Sequence, residues 1–152
     1  MEYVESEKYK TQLAALDDDD VRHYMYQFMA ALAYTHSKGI IHRDIKPANI
    51  AYDHAAGRRV KLLDFGLSEW YVSGREFSLS VGTNWFRGPE LLIGNRYYSY
   101  EVDLWAAGCC FASMIYQFTP FFHAATDDNE LLEIVQVLGT EVWQSTRTRP
   151  CS

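Results

Sequence analysis

The chain has 152 residues, 48% hydrophobic and 15% aromatic, with a formal net charge of −6. That is long enough for one domain with its own core, burying about 70% of its unfolded surface, and the composition excludes a disordered polypeptide. The acidic balance argues against nucleic acid or an anionic membrane surface as partner. The three cysteines, Cys109, Cys110 and Cys151, show no metal-site spacing and fit a reduced, intracellular protein.

Residues 1–5 read as a short extended piece. Ser6 to Lys10 follows as a short helix capped by Ser6, and this acidic start has no apolar run of the kind a signal peptide needs. The run Asp17-Asp18-Asp19-Asp20 marks the start of a long helix, where carboxylates complement the macrodipole and cap free N–H groups. Val21, Tyr24, Met25, Phe28, Leu32 and Thr35 recur at helical spacing as its core stripe, and Lys38-Gly39 ends it. Two short strands, Ile50 to Tyr52 and Val60 to Asp64, flank a turn-rich link that contains His54. Residues 67–87 carry no clean period and read as ordered but irregular. A second helix runs from about Tyr100 to Phe118. It is apolar all round, which predicts burial on every side, and it is too short and too interrupted to be a membrane span. Pro120 stops it. A last helix covers about Asp128 to Leu138 and closes at Gly139, and residues 144–152 read as a disordered tail. The fold class expected is mainly α with a small β-hairpin.

Between the first helix and the hairpin stands His42-Arg43-Asp44-Ile45-Lys46-Pro47-Ala48-Asn49. Asp64-Phe65-Gly66, Gly88-Pro89-Glu90 and Asp103-Leu104-Trp105 follow it in that order. The first motif resembles the catalytic loop of protein kinases, H-R-D-x-x-x-x-N, and the four together resemble the C-terminal lobe of that family. The resemblance implies transfer of the ATP γ-phosphate with ATP and Mg²⁺ as cofactors. Asp44 is then the base that accepts the proton of the acceptor hydroxyl, and Lys46 offsets charge on the transferring phosphate. Asn49 and Asp64 are the oxygen ligands of Mg²⁺. Phe65 is expected to pack into the core and fix Asp64. Thr83, seven residues before Glu90, is expected to bond the catalytic Asp and favour Ser/Thr over Tyr acceptors. Asp103 is expected to brace the loop backbone, and Arg43 to meet a phosphate or carboxylate on the segment that follows Gly66.

Several stretches are more closely similar to the casein kinase II catalytic subunit: Asp20 to Tyr26, Ser37 to Asp44, Arg87 to Leu92 with Gly88 in place of Ala, and Ala112 to Glu141. On that resemblance residues 1–143 form a partial, truncated protein kinase domain. Glu2 and Val4 mark the hinge that binds the adenine edge, and Ala51 lies under the base. The implied partner is a protein substrate with a Ser or Thr acceptor, with room for a regulatory subunit but not for nucleic acid or membrane; cytoplasm and nucleus both stay open. The departures are Phe65 where casein kinase II carries Trp, Ala48 for His, and Ser80 and Asn84 at two positions where basic residues read acidic substrates; only Arg87 is kept there. The 152 residues contain no Gly-rich loop and no strand lysine of the family pattern, so this polypeptide alone is expected to transfer phosphate negligibly. A catalytically inactive kinase-like lobe serving as a binding or scaffold module, or a truncated product, is the alternative.

Overall fold

The computed structural model describes residues 16–53 and 57–139, a mostly helical structure with small antiparallel sheets. Helix α1 spans Asp18–Ser37. Its N-cap is Asp17, whose side chain accepts the backbone N–H groups of Asp19 at 3.0 Å and Asp20 at 2.8 Å. The next three residues add carboxylates in the first turn, where they meet the positive end of the helix dipole. At the other end Gly39, at φ +77, takes the left-handed conformation that only Gly adopts without strain. The predicted stripe is the buried face: Tyr24, Phe28, Leu32 and Thr35 are buried, with Val21 and Met25 partly so. Each fully buried side chain of this kind contributes about 1.5–3 kcal/mol, and Leu32→Ala, which leaves a cavity, costs about 2–5 kcal/mol.

The expected hairpin is present as β2, Ile50–Asp53, and β3, Arg59–Leu62, with Ile50 opposite Leu62 and Asp53 opposite Arg59. β3 ends earlier than the hydrophobic pattern suggests, because Asp64 sits at φ +57 and turns the chain out of the strand. A second two-stranded sheet was not foreseen. It pairs β1, Ile40–Ile41, with β4, Glu69–Trp70, inside the stretch expected to be irregular. Two-residue strands leave no periodicity to read. Also unforeseen is α2, a single turn at Pro89–Leu92. Helix α3 spans Glu101–Tyr116 and α4 spans Asp127–Leu138, whose N-cap Thr126 accepts the Asn129 N–H.

α1 packs on β1, β3 and α3, while α2 packs on α4. The main core joins Tyr24, Phe28 and Leu32 to Ile45, Ile50, Tyr52 and the Ala106–Met114 face of α3. A smaller cluster of Ile41, Phe77, Val81, Leu91, Tyr98 and Val102 sits under the segment after Gly66. The loop from His42 to Asn49 therefore lies between two apolar clusters, with Ile41 just before it in one and Ile45 in the other.

The expectation that α3 is buried on every side does not hold. Val102, Ala106, Cys109, Cys110 and Ser113 face the core, whereas Leu104 is 48% exposed and Ile115 54%. Among the described residues nothing covers that side. A helix built from Ala, Gly, Cys and large apolar residues has no polar face to mark which side is out. None of the helices of the described residues is long and apolar enough to cross a membrane. The short helix at Ser6, the hinge residues Glu2 and Val4, His54, Cys151 and the tail lie outside the described residues.

Candidate active site

The loop from His42 to Asn49 is held from below by one carboxylate. Asp103, on the first turn of α3, is 1% exposed. Its Oδ2 accepts the His42 backbone N–H at 2.8 Å and its Oδ1 accepts the Arg43 N–H at 2.7 Å. The Nε2 of His36, in the last turn of α1, also lies 2.8 Å from Oδ2. The bracing role expected of Asp103 is therefore what the geometry has, and His36 is a partner that no motif indicated. These contacts hold Arg43 at φ +65, a conformation that is strained for a residue with a Cβ. The strain lets consecutive residues point to opposite jobs, Arg43 toward the following segment and Asp44 into the site.

Asp44 is buried, and every part of its carboxylate is engaged. Oδ1 accepts the Thr83 hydroxyl at 2.8 Å. Oδ2 accepts Asn49 Nδ2 at 2.9 Å and pairs with Lys46 Nζ at 2.9 Å. Lys46 Nζ also donates to Thr83 Oγ1 at 2.8 Å, so Asp44, Lys46 and Thr83 form a closed triangle. Burial pushes the Asp44 carboxyl up, but the hydrogen bonds from Lys46, Thr83 and Asn49 outweigh it and the carboxyl lies below its usual range. Asp44 is thus held ionised. A carboxylate so tied can accept a hydrogen bond from an acceptor hydroxyl and aim it.

Asn49 is buried at the end of the 3₁₀ turn Pro47–Asn49, and its Nδ2 donates to both the backbone oxygen and Oδ2 of Asp44. That leaves its amide oxygen as the free acceptor. Its backbone oxygen accepts the Leu63 N–H at 2.8 Å, which sets Asp64 one residue from the base of the hairpin. Asp64 is exposed, and its Oδ1 caps the Gly66 N–H at 3.1 Å. The two residues offer hard oxygens from just before β2 and just after β3, a donor chemistry that fits Mg²⁺. Among the described residues no cluster of three His, Cys, Asp or Glu side chains forms a metal cage. Ala51 is buried in β2.

Phe65 departs from expectation. It is 44% exposed and meets the His42 ring edge-on at 4.8 Å instead of entering the core. His42 itself is fully buried, with its Nε2 2.9 Å from the Leu63 oxygen.

Arg43 has a partner that sequence could not name. Its guanidinium bonds the Leu67 oxygen at 2.7 Å, pairs with Glu69 at 3.2 Å, and reaches the Tyr98 hydroxyl at 3.5 Å. Arg75 takes the other oxygen of Glu69 at 3.2 Å. Arg87, the retained basic residue, is spent inside the protein, on Asp127 at 3.3 Å and on the Leu79 and Leu91 oxygens. Glu90 is buried with Oε1 unpartnered, and burial raises its carboxyl. A Cβ at Gly88 would stand 2.5 Å from that same oxygen, so the Glu90 carboxylate lies directly against the Gly88 backbone.

The geometry thus builds the site on two carboxylates: Asp103 ties α1 and the start of α3 to the loop, and Asp44 ties the loop to the segment before α2. The chain as a whole matches the family model for the protein kinase domain over residues 1–150. On the strength of that match, which runs through every element described above, the chain belongs to the protein kinase domain family.

Proposed function

We propose that this chain supplies the catalytic lobe of a serine/threonine protein kinase of the casein kinase II type, transferring the γ-phosphate of ATP to a Ser or Thr hydroxyl of a protein substrate. Protein kinases use ATP and Mg²⁺, and the metal supplies charge neutralisation on the phosphates. The single observation that carries the reading is the triangle of Asp44, Lys46 and Thr83. Asp44 receives the hydroxyl hydrogen bond and then the proton. Lys46 places positive charge beside the oxygen being phosphorylated. Thr83 fixes the second carboxylate oxygen, so that Asp44 has one orientation. Asn49 and Asp64 are the residues of this chain that would hold Mg²⁺, and Glu2, Val4 and Ala51 those that would meet the adenine. With Arg87 bound to Asp127, and with Ser80 and Asn84 uncharged, the acceptor peptide need not be acidic.

The test uses a fusion of residues 1–152 to the Gly-rich-loop lobe of another kinase, assayed with labelled ATP, Mg²⁺ and Ser, Thr and Tyr versions of one peptide. Ser and Thr peptides are labelled and the Tyr peptide is not. Asp44→Asn lowers the rate by on the order of 10²–10⁴. Labelling that survives Asp44→Asn, or that falls on Tyr alone, sinks the reading.

A further inference from the structure

β3 has β2 on one side, and among the described residues no third strand pairs with its other edge. The Leu63 N–H donates to the Asn49 oxygen. By the alternation of an antiparallel ladder, the Lys61 N–H faces β2 as well, while Arg58 and Val60 turn their backbone groups outward, toward α1. There the side chain of Gln27 takes both. Its Oε1 accepts the Val60 N–H at 3.0 Å, and its Nε2 donates to the Arg58 oxygen at 2.7 Å. A backbone N–H can only donate and a backbone oxygen can only accept, so these two bonds fix which way round the carboxamide lies. One side chain of a helix thus meets β3 as the peptide group of a neighbouring strand would.

The neighbouring residues of α1 reach for the same place. Asp19, Asp20, His23 and Gln27 follow one another about a turn apart along one face of the helix. The guanidinium of Arg58 pairs with Asp20 and lies 3.4 Å from Asp19. The Nε2 of His23 is 3.0 Å from the Arg58 oxygen and sits beside Gln27 Nε2. Arg58 is therefore held by side chain and backbone alike, at φ +57. A two-stranded hairpin has little stability of its own. The end of this one next to the His42–Asn49 loop is fixed where Leu63 meets Asn49 and His42. Val60 is three residues back, roughly 10 Å along the strand. The bonds to Gln27 make it a second fixed point, and a strand fixed at two points cannot swing about one.

We propose that Gln27 is a positioning residue for the nucleotide side of this site: standing in for a neighbouring strand, it sets the hairpin that carries Asn49, Ala51 and Asp64. The proposal rests on the kinase reading above for what those three residues bind, and on the hydrogen bonds alone for how they are held. Ala51 lies opposite Lys61, the residue next to Val60, so the hold of Gln27 acts one position away from it. Asp44, Lys46 and Thr83 hold one another through their own contacts. Loss of Gln27 therefore falls on the binding of ATP with Mg²⁺ and spares the peptide side.

The experiment begins with amide hydrogen exchange in the 152-residue chain and in Gln27→Met, which keeps the length of the side chain and has neither amide group. The Val60 amide exchanges about three- to tenfold faster in the variant, while the Lys61 amide, which faces β2, keeps its rate. The unmutated chain gives a test that needs no variant: its Val60 amide exchanges more slowly than that of an unstructured peptide. A Val60 amide exchanging at the unstructured rate, or unchanged in Gln27→Met, overturns the proposal. The second measurement is equilibrium binding of labelled ATP with Mg²⁺ to the fusion described above. Gln27→Met weakens it about three- to tenfold and raises the KM for ATP to match, with the KM for peptide unmoved. A variant that only destabilises the fold lowers the active fraction, and so kcat, and leaves KM where it was. A fall in kcat with unchanged ATP affinity therefore overturns the proposal. A fusion that binds ATP, loses affinity in Gln27→Met and yet transfers no phosphate would refute the kinase reading and leave the role of Gln27 in place. A fusion that binds no ATP would overturn both.

Discussion

Replacing Asp103 by Asn removes one charge and one acceptor from the point where the loop from His42 to Asn49 is anchored, with almost no change in shape. In the native protein its two oxygens serve three donors: the His42 N–H and the His36 ring on Oδ2, and the Arg43 N–H on Oδ1. Asparagine keeps its oxygen best on the side with two donors, which turns its NH₂ group toward the Arg43 N–H. One hydrogen bond to a charged acceptor is lost, worth about 1.5–3 kcal/mol, and a buried backbone donor is left without a partner. The remaining bonds lose their charge assistance. The sum is about 3 kcal/mol, a large part of the 5–15 kcal/mol that holds a typical domain together. Urea unfolding followed by far-UV circular dichroism measures it. With a slope of about 2 kcal/mol per molar, the midpoint falls by about 1.5 M. A loss below about 0.5 kcal/mol would show that the carboxylate does not anchor the loop, and the account of how Arg43 is kept at φ +65 would fail with it.

Lys46→Met removes the strongest contact that keeps Asp44 ionised, so the Asp44 carboxyl moves up toward its ordinary range; carboxyl-carbon NMR reads this, and an unmoved titration refutes it. Because the folded-state value is depressed, the stability Asp44 contributes is present above its unfolded pKa and is lost as pH falls through the folded one, and Lys46→Met shrinks that loss. Glu130 has the opposite sign. Its carboxyl, buried on α4, lies at about 7 in the folded chain, above an unfolded value of about 4.3, so stability falls by up to about 4 kcal/mol as pH rises between the two. Urea midpoints at the two ends of that range show this slope in the wild type and a flatter one in Glu130→Gln; equal slopes refute it. Gly82→Ala places a Cβ at φ +77 and 3.3 Å from the Arg43 backbone oxygen, and costs about 1–2 kcal/mol in the same unfolding assay. The 152-residue polypeptide alone, given labelled ATP, Mg²⁺ and a Ser/Thr peptide, shows negligible turnover; turnover abolished by Asp44→Asn would refute that expectation.

The features legible in the sequence are those written in contiguous residues. The α1 stripe of Tyr24, Phe28 and Leu32 repeats every fourth position, and burial follows that period because one face of a helix must be removed from water. The hairpin of β2 and β3 follows from two apolar runs around a turn. The loop from His42 to Asn49 carries its chemistry in eight adjacent positions, so Asp44, Lys46 and Asn49 meet with little help from the rest of the chain. Thr83 was legible only through its distance from Glu90 in a known pattern.

What tertiary structure alone decided are contacts between groups far apart in the chain. His36 and Asp103 are separated by 67 residues and Thr83 and Asp44 by 39; no local spacing encodes those pairings, because they depend on how α1, α3 and the intervening segment pack. The same holds for Glu69 as the partner of Arg43 and for Arg87 being spent on Asp127. It also holds for α3, where a uniformly apolar sequence says that the helix seeks burial but not which face finds it. Local periodicity sets which elements form, since hydrogen bonding and burial act there over a turn or a strand pair. Only the packing of those elements brings a carboxylate, an ammonium and a hydroxyl to within 3 Å of one another, and that arrangement is what makes the loop a candidate catalytic site.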